Sequence, residues 1–240
     1  MRALSTLLLP SYILLDQTGA PMAQITLVRH GQANSASTDE HGYDKLSPLG
    51  HEQAVWLGAH MRETHQAFDS VYCGTLRRHV ETAAGMQAEL YAPVTQDARL
   101  NEMAYFDLSI AYESMSGTTT PTTRDAFVEH MPRLLTAWKE GRLNGATESF
   151  AAFEDRVSAA LEEIAARSDR ALIVTSGGLI SMVTRQVLGL DIEGYARMCL
   201  AIMNTSTHRV MRVGSSLALT QFNNIAHLEE TGRHHAQTHI

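Results

Sequence analysis

Ile25-Thr26-Leu27-Val28-Arg29-His30-Gly31-Gln32 is the stretch from which the rest of the chain is read. A continuous apolar run stops abruptly at an arginine, a histidine and a glycine. Four apolar or β-branched residues in succession read as a buried strand of a parallel sheet. In open α/β sheets, ligands bind just beyond the carboxyl ends of such strands. A histidine there can act as a nucleophile, because a neutral imidazole nitrogen is basic near neutral pH. The adjoining Arg29 offers a planar fork that matches phosphate oxygens. The stretch points to a phosphate-handling site at His30. Taken alone, Arg-His-Gly is equally compatible with a strand that ends in two polar loop residues.

Composition sets the bounds. The 240 residues are 44% hydrophobic and 19% charged, which fits one soluble globular domain with an ample core. No stretch approaches the length of a membrane span. The net charge of -7, with both signs interspersed, argues against nucleic acid as a partner. An anionic substrate then requires a local basic pocket. Cys73 and Cys199 form neither a disulfide framework nor a zinc spacing, so a reducing, cytoplasmic setting is expected. Residues 1–21 read as an N-terminal extension. One arginine and an apolar stretch broken by Pro10 weakly resemble a secretory signal, whereas Met22-Ala23-Gln24 reads as an alternative start directly before the strand. One domain is expected over 22–230, followed by a polar tail over 231–240. His234, His235 and His239 in that tail read as metal ligands or as a frayed end, and the lack of an acidic or cysteine partner favours the latter.

Ser47-Pro48 supplies an N-cap followed by proline at the first helical position. Leu49, Ala54, Leu57 and Met61 then recur at helical spacing. Phe68 to Cys73 reads as a second strand, Gly74-Thr75 opens another helix, and a short strand is expected near Arg99-Leu100. The stretch from 105 to 145 has weak periodicity around a helical segment from Arg124 to Trp138, and reads as an insertion or cap. A long helix from Ser149 to Ala166 precedes the most apolar strand, Ala171 to Thr175. Ser176-Gly177-Gly178 turns directly into the helix Leu179 to Leu188, and another helix covers Glu193 to Ile202. His208 to Val213 and Leu217 to Phe222 read as closing strands. Strands alternating with helices imply an α/β fold: a three-layer sandwich with a mostly parallel central sheet and helices on both faces.

Three further sites carry chemistry. With Thr75 as N-cap, Arg77 and Arg78 fall in the first helical turn, where cations oppose the helix dipole. A bound anion would resolve that conflict, and a solvated basic face is the plainer alternative. Val174-Thr175-Ser176-Gly177-Gly178 enters a helix through two glycines, which allows close backbone approach to a phosphate. Val174 stands where a serine hydrolase elbow needs glycine, so Ser176 does not read as that nucleophile. Glu102, in Leu100-Asn101-Glu102, matters only if the fold brings it to His30.

Together these segments resemble the histidine phosphatase superfamily, the phosphoglycerate mutase-like family, over nearly all of the chain from Ile25 onward. Leu-Val-Arg-His-Gly is similar to the family signature, and Leu46-Ser47-Pro48-Leu49-Gly50 to its Leu-Thr/Ser-x-x-Gly helix start. Gly74-Thr75-Leu76-Arg77-Arg78 resembles its Ser-Pro-Leu-x-Arg turn, and Leu100-Asn101-Glu102 its Leu-x-Glu acid. Glu148-Ser149, Asn204-Thr205-Ser206, Asn224 and His227-Leu228 are similar too. The resemblance implies a phosphoglycerate mutase-like fold and a phosphomonoesterase acting on a small phosphorylated substrate through phosphohistidine. His30 would be the nucleophile and Glu102 the general acid and base. Arg29, Arg78, Ser176 and Gly177 would bind phosphate, with no metal or other cofactor required.

One position departs from the pattern. The family usually has Ser/Thr-His-Gly-Gly where this chain has Thr175-Ser176-Gly177-Gly178. Loss of one transition-state donor typically costs about 2.7–4 kcal/mol, so a slowed or specialised enzyme is expected, with Ser176→His raising turnover modestly. His79, next to Arg78 on the helix, is expected to project away from the pocket. A phosphoglycerate-type mutase is the alternative within the family. It fits less well, because Met103-Ala104-Tyr105-Phe106-Asp107 follows the acid in place of a Glu-Arg-His-Tyr-Gly type segment. A catalytically impaired phosphate-binding module is the alternative outside it, although a binder needs neither nucleophile nor acid.

Overall fold

The computed structural model describes residues 23–34, 37, 40–214 and 216–239. The extension expected over 1–21 lies outside them. Six strands, β1 (Gln24–Arg29), β2 (Ser70–Cys73), β3 (Val94–Gln96), β4 (Arg170–Thr175), β5 (Thr207–Val213) and β6 (Ser216–Asn224), form one sheet in the order β3-β2-β4-β1-β5-β6. β1 is parallel to β4, β4 to β2, and β2 to β3. β5 and β6 extend the sheet beyond β1 as an antiparallel pair.

Residues alternate strictly between two cores, because successive side chains of a strand point to opposite faces. A short helix, α1 (Glu40–Tyr43), lies in the loop after β1. Val28, Val71, Cys73, Leu172 and Val174 pack against Ala54, Leu57 and Met61 of α2 (Pro48–Glu63) and Ala83 of α3 (Arg77–Gly85). Ile25, Leu27, Ala171 and Ile173 pack on the other face. There they meet α4 (Tyr105–Ser116), α5 (Arg124–Lys139), α6 (Phe150–Arg167), α7 (Gly177–Leu188) and α8 (Ile192–Ala201). With both faces covered, the central strands are continuously apolar. Ser47 caps α2 by accepting the Gly50 N–H at 3.0 Å, and Ser149 and Asp191 cap α6 and α8 in the same way. No helix among the described residues is long and apolar enough to cross a membrane.

Three local features differ from the sequence reading. Ala98–Leu100 is a 3-10 turn, not a strand, because the Asp97 carboxylate accepts the Arg99 N–H at 2.8 Å and bends the chain; the short strand is β3, just before it. The 105–145 stretch places α4 and α5 in the same core as α6 to α8, with Leu108, Tyr112, Leu134 and Trp138 buried. The tail is docked, not frayed. Ala236 is buried, its carbonyl and the Thr238 hydroxyl both accept from Gln53 Nε2 (2.7 and 3.0 Å), and the Thr238 carbonyl accepts the Asn204 N–H at 2.8 Å.

Candidate active site

Parallel neighbours β1 and β4 deliver Arg29, His30 and Ser176 to one end of the sheet, and β2 brings Gly74 beside them. His30 is only 2% exposed. Its ring Nδ1 lies 2.7 Å from the Gly31 carbonyl oxygen. A carbonyl has no proton to give, so Nδ1 carries the hydrogen and the neutral ring keeps its lone pair on Nε2. Burial, reinforced by Arg78, Arg29 and His79, holds its pKa well below the usual histidine value. The loop that follows is pressed against α2. A Cβ at Gly31 would lie 2.4 Å from the Gly50 carbonyl oxygen, and one at Gly50 would lie 2.1 Å from that of Gln32. Both positions therefore require glycine for close approach.

The two arginines approach from different sides. Arg29 Nη1 donates to the carbonyls of Ile202 and, at 2.7 Å, His239, while Gly177 lies alongside its Nε. Arg78 is 1% exposed, donates from Nη1 to Asp44 Oδ1 at 3.0 Å and stacks 5.1 Å from the Tyr43 ring centroid. Asp44 also accepts the main-chain N–H groups of Arg77 (2.9 Å) and Arg78 (3.2 Å). The anion that two arginines in a first helical turn call for is thus supplied by the protein's own Asp44 carboxylate. The cap itself is Leu76, one residue later than expected; the Thr75 N–H donates instead to Asn101 Oδ1 at 2.7 Å. Arg77 faces solvent and pairs with Glu81 at 2.6 Å.

Glu102 lies under the start of α7. Its Oε2 accepts the Gly178 N–H at 2.9 Å and its Oε1 accepts the Met103 N–H at 3.0 Å. Burial raises its pKa, against the opposing pull of Gly178, Arg78 and Arg29. The loop that carries it hangs on Arg156, which donates to the carbonyls of Arg99 and Asn101 (both 2.8 Å) and of Glu102 (3.2 Å). Glu148 holds Arg156 through two further hydrogen bonds at 2.6 and 3.0 Å. Glu148, picked out in the sequence without a role, anchors the arginine that fixes the Glu102 backbone.

His79 does not project away from this group. Its Nε2 lies 2.5 Å from Ser176 Oγ, and its ring centroid is 5.7 Å from that of His30. Arg78 and His79 are both buried in the first turn of α3, so directions about a hundred degrees apart both lead into the site. Arg78 turns toward Asp44 and His79 toward β4. Burial, then Arg78, keeps the His79 ring neutral by lowering its pKa well below the usual value.

The histidine phosphatase superfamily (branch 1) model matches residues 25–225, most of the chain and all of the site. The chain belongs to this superfamily. A glucosyl-3-phosphoglycerate phosphatase from Mycolicibacterium vanbaalenii is 28% identical over 176 residues, covering 72% of this chain and 77% of that protein. A phosphoserine phosphatase from Entamoeba histolytica superposes with a TM-score of 0.64 at 18% identity, over 86% of this chain and 100% of its own. A phosphoglycerate mutase from Bacillus anthracis gives 0.61 at 18% identity, over 86% and 95%. The phosphoglycerate mutase-like architecture is therefore shared.

Within this superfamily member, the late polar segments brace Arg29 and His30. The Thr205 N–H donates to the Arg29 carbonyl at 3.1 Å, and Asn204 Nδ2 to the His30 carbonyl at 3.3 Å. Thr205 holds a left-handed backbone (φ 55°) and its hydroxyl meets His227 Nε2 at 2.9 Å. The three tail histidines go to separate partners: His234 to the Glu229 carbonyl, His235 to the Trp56 ring and His239 to Arg124. Among the described residues no group of His, Cys, Asp and Glu could hold a metal ion. Sequence reading missed Asp44, which sits in a polar loop with no periodic signal, and misdirected His79. The available clue was a histidine one position after the arginine of a chain that lacks the expected one at 176.

Proposed function

We infer that this protein is a phosphomonoesterase that hydrolyses a small phosphorylated alcohol through a phosphohistidine at His30. The observation that carries this reading is the His30 ring, buried, neutral, and with its lone pair confined to Nε2 by the Gly31 carbonyl. A phosphate-binding site needs no such tautomer; a nucleophile does. Nε2 attacks phosphorus while the ester oxygen leaves with the Glu102 proton, for which a raised pKa suits the acid. The P–O bond breaks as the N–P bond forms. Glu102, now a carboxylate, takes a proton from water, whose oxygen displaces His30 and releases inorganic phosphate. Arg29 and Arg78 supply positive charge to the phosphoryl oxygens, and the start of α7 supplies the Gly177 N–H and the Ser176 hydroxyl. Arg78 has to be shared with Asp44, or exchanged from it, when phosphate enters.

A mutase begins with the same half-reaction. Here, however, Met103 after the acid is buried in the core and α4 begins at Tyr105, so no basic cluster for a substrate carboxylate follows Glu102. The test is turnover of a panel that includes phosphoserine, glucosyl-3-phosphoglycerate and p-nitrophenyl phosphate. Wild type is expected to release phosphate and His30→Ala to be silent. Equal release by the two proteins overturns the reading.

A further inference from the structure

Ser176 occupies the N-cap of α7, yet its side chain makes no capping hydrogen bond. A serine there ordinarily accepts an N–H from the first turn. In this chain the Gly178 N–H goes to Glu102, and the Ser176 hydroxyl meets His79 instead. His79 is fully buried, and its other nitrogen, Nδ1, has no hydrogen-bond partner among the described residues. An orphaned N–H is rarer than an under-used acceptor. The hydrogen therefore belongs on Nε2, donating to Ser176 Oγ, with Nδ1 left as a bare lone pair. In that arrangement the hydroxyl proton of Ser176 is not consumed by His79.

Space for the ring has been made at the end of β2. A Cβ at Gly74 would lie 2.1 Å from His79 Nδ1 and 2.9 Å from its Cε1. Gly74 does not have a positive φ, so backbone conformation does not demand glycine there; the imidazole does, together with Asn101 Oδ1, which would lie 2.7 Å from that Cβ. Gly74 just after β2, His79 in α3 and Ser176 at the N-cap of α7 thus form one steric unit, whose ring centroid lies 5.7 Å from that of the proposed nucleophile.

We propose that His79 is a positioning residue for phosphoryl binding, holding the Ser176 hydroxyl so that its proton is donated to a phosphoryl oxygen beside His30. The pair would do from α3 and α7 together what a single longer donor at 176 could do alone. The proposal rests on the phosphomonoesterase reading, and it reverses the expectation that Ser176→His helps. With the His79 ring in place, a second imidazole has no room.

A double-mutant cycle on the full chain tests this, using p-nitrophenyl phosphate turnover, orthovanadate binding and thermal melting. His79→Ala and Ser176→Ala should each lower kcat/KM by about 10²–10³, and the double variant should be no worse than either alone. His79→Gln, whose amide can still donate to Oγ, should keep more activity than His79→Ala. Ser176→His alone should lose activity, whereas His79→Ala/Ser176→His should regain at least about tenfold over His79→Ala. Vanadate affinity should follow the same order, with melting unchanged between His79→Ala and His79→Gln. Active wild type with equally active His79→Ala overturns this proposal and leaves the phosphatase reading intact. So do losses that multiply in the double variant. If wild type shows no turnover, the phosphatase reading falls and vanadate decides the rest. Affinity that depends on His79 and Ser176 as a unit supports the pair, and affinity indifferent to His79 overturns it.

Discussion

Replacing Gly178 with alanine perturbs Glu102 without touching it in sequence. An added Cβ would lie 2.3 Å from Glu102 Oε1 and 3.0 Å from Met103 Cε. Ordinary contact begins near 3.4 Å, so the carboxylate must retreat by about 1 Å. Displacement of that size costs on the order of 10² in rate when a reacting group depends on alignment, and a positioned general acid contributes about 10²–10⁴. Overpacking of this kind costs about 1–3 kcal/mol, of which the helix preference for alanine over glycine returns roughly 0.5–1 kcal/mol, so the melting temperature is measured alongside the kinetics. The expected result is a loss of about 10²-fold in kcat/KM on an alkyl phosphate such as phosphoserine. On p-nitrophenyl phosphate, whose leaving group departs without a proton, the loss should be several-fold at most. Glu102→Gln should give the same split. Equal losses on both substrates, or none on either with the melting temperature maintained, would refute the assignment of Glu102 as the acid.

Further outcomes follow from the same geometry. Arg78→Ala should reduce kcat/KM by about 10²–10³ and Arg77→Ala by less than threefold, since Arg77 faces solvent on Glu81; the reverse order in steady-state kinetics would sink the assignment. His208 and His227 are buried with pKa values pushed down to about 3, and the Asn223 N–H donates to His208 Nδ1. In the unfolded chain they titrate near 6.5, so below that pH the unfolded state binds more protons and stability falls. Going from pH 7 to pH 5 should remove about 2 kcal/mol for each, read as denaturant midpoints, and His208→Gln should flatten the slope. Deleting residues 234–240 takes the partners of Gln53 and Asn204 and should cost roughly 1–3 kcal/mol; an unchanged midpoint would contradict the docking of the tail.

The central sheet was legible because strands buried on both faces carry successive apolar or β-branched residues, as Ile25 to Val28 of β1 and Ala171 to Thr175 of β4 do. Caps were legible at Ser47, where side chain and proline act locally. The positions of His30, Arg29, Arg78, Glu102 and Ser176 at one end of the sheet followed from strand ends and the family pattern. What the sequence did not disclose depends on long-range contacts. Asp44 reaches α3 from a loop more than thirty residues away. Adjacent positions on a helix point about a hundred degrees apart, which leads His79 away from Arg78, yet both are buried and His79 reaches Ser176. The docked tail has polar composition yet is held by backbone carbonyls that meet buried side chains, a property no composition reveals.

The measurement that bears most directly on the account is the site of covalent phosphorylation during turnover. Wild type mixed with labelled phosphomonoester and quenched within milliseconds should carry one acid-labile, alkali-stable phosphoryl group, mapped to His30 by mass spectrometry. The label should be absent from His30→Ala and retained in Glu102→Gln, where the second step is slowed. An acid-stable phosphoserine at Ser176, drawn out by its partner His79, or steady turnover with no label at all, would contradict it.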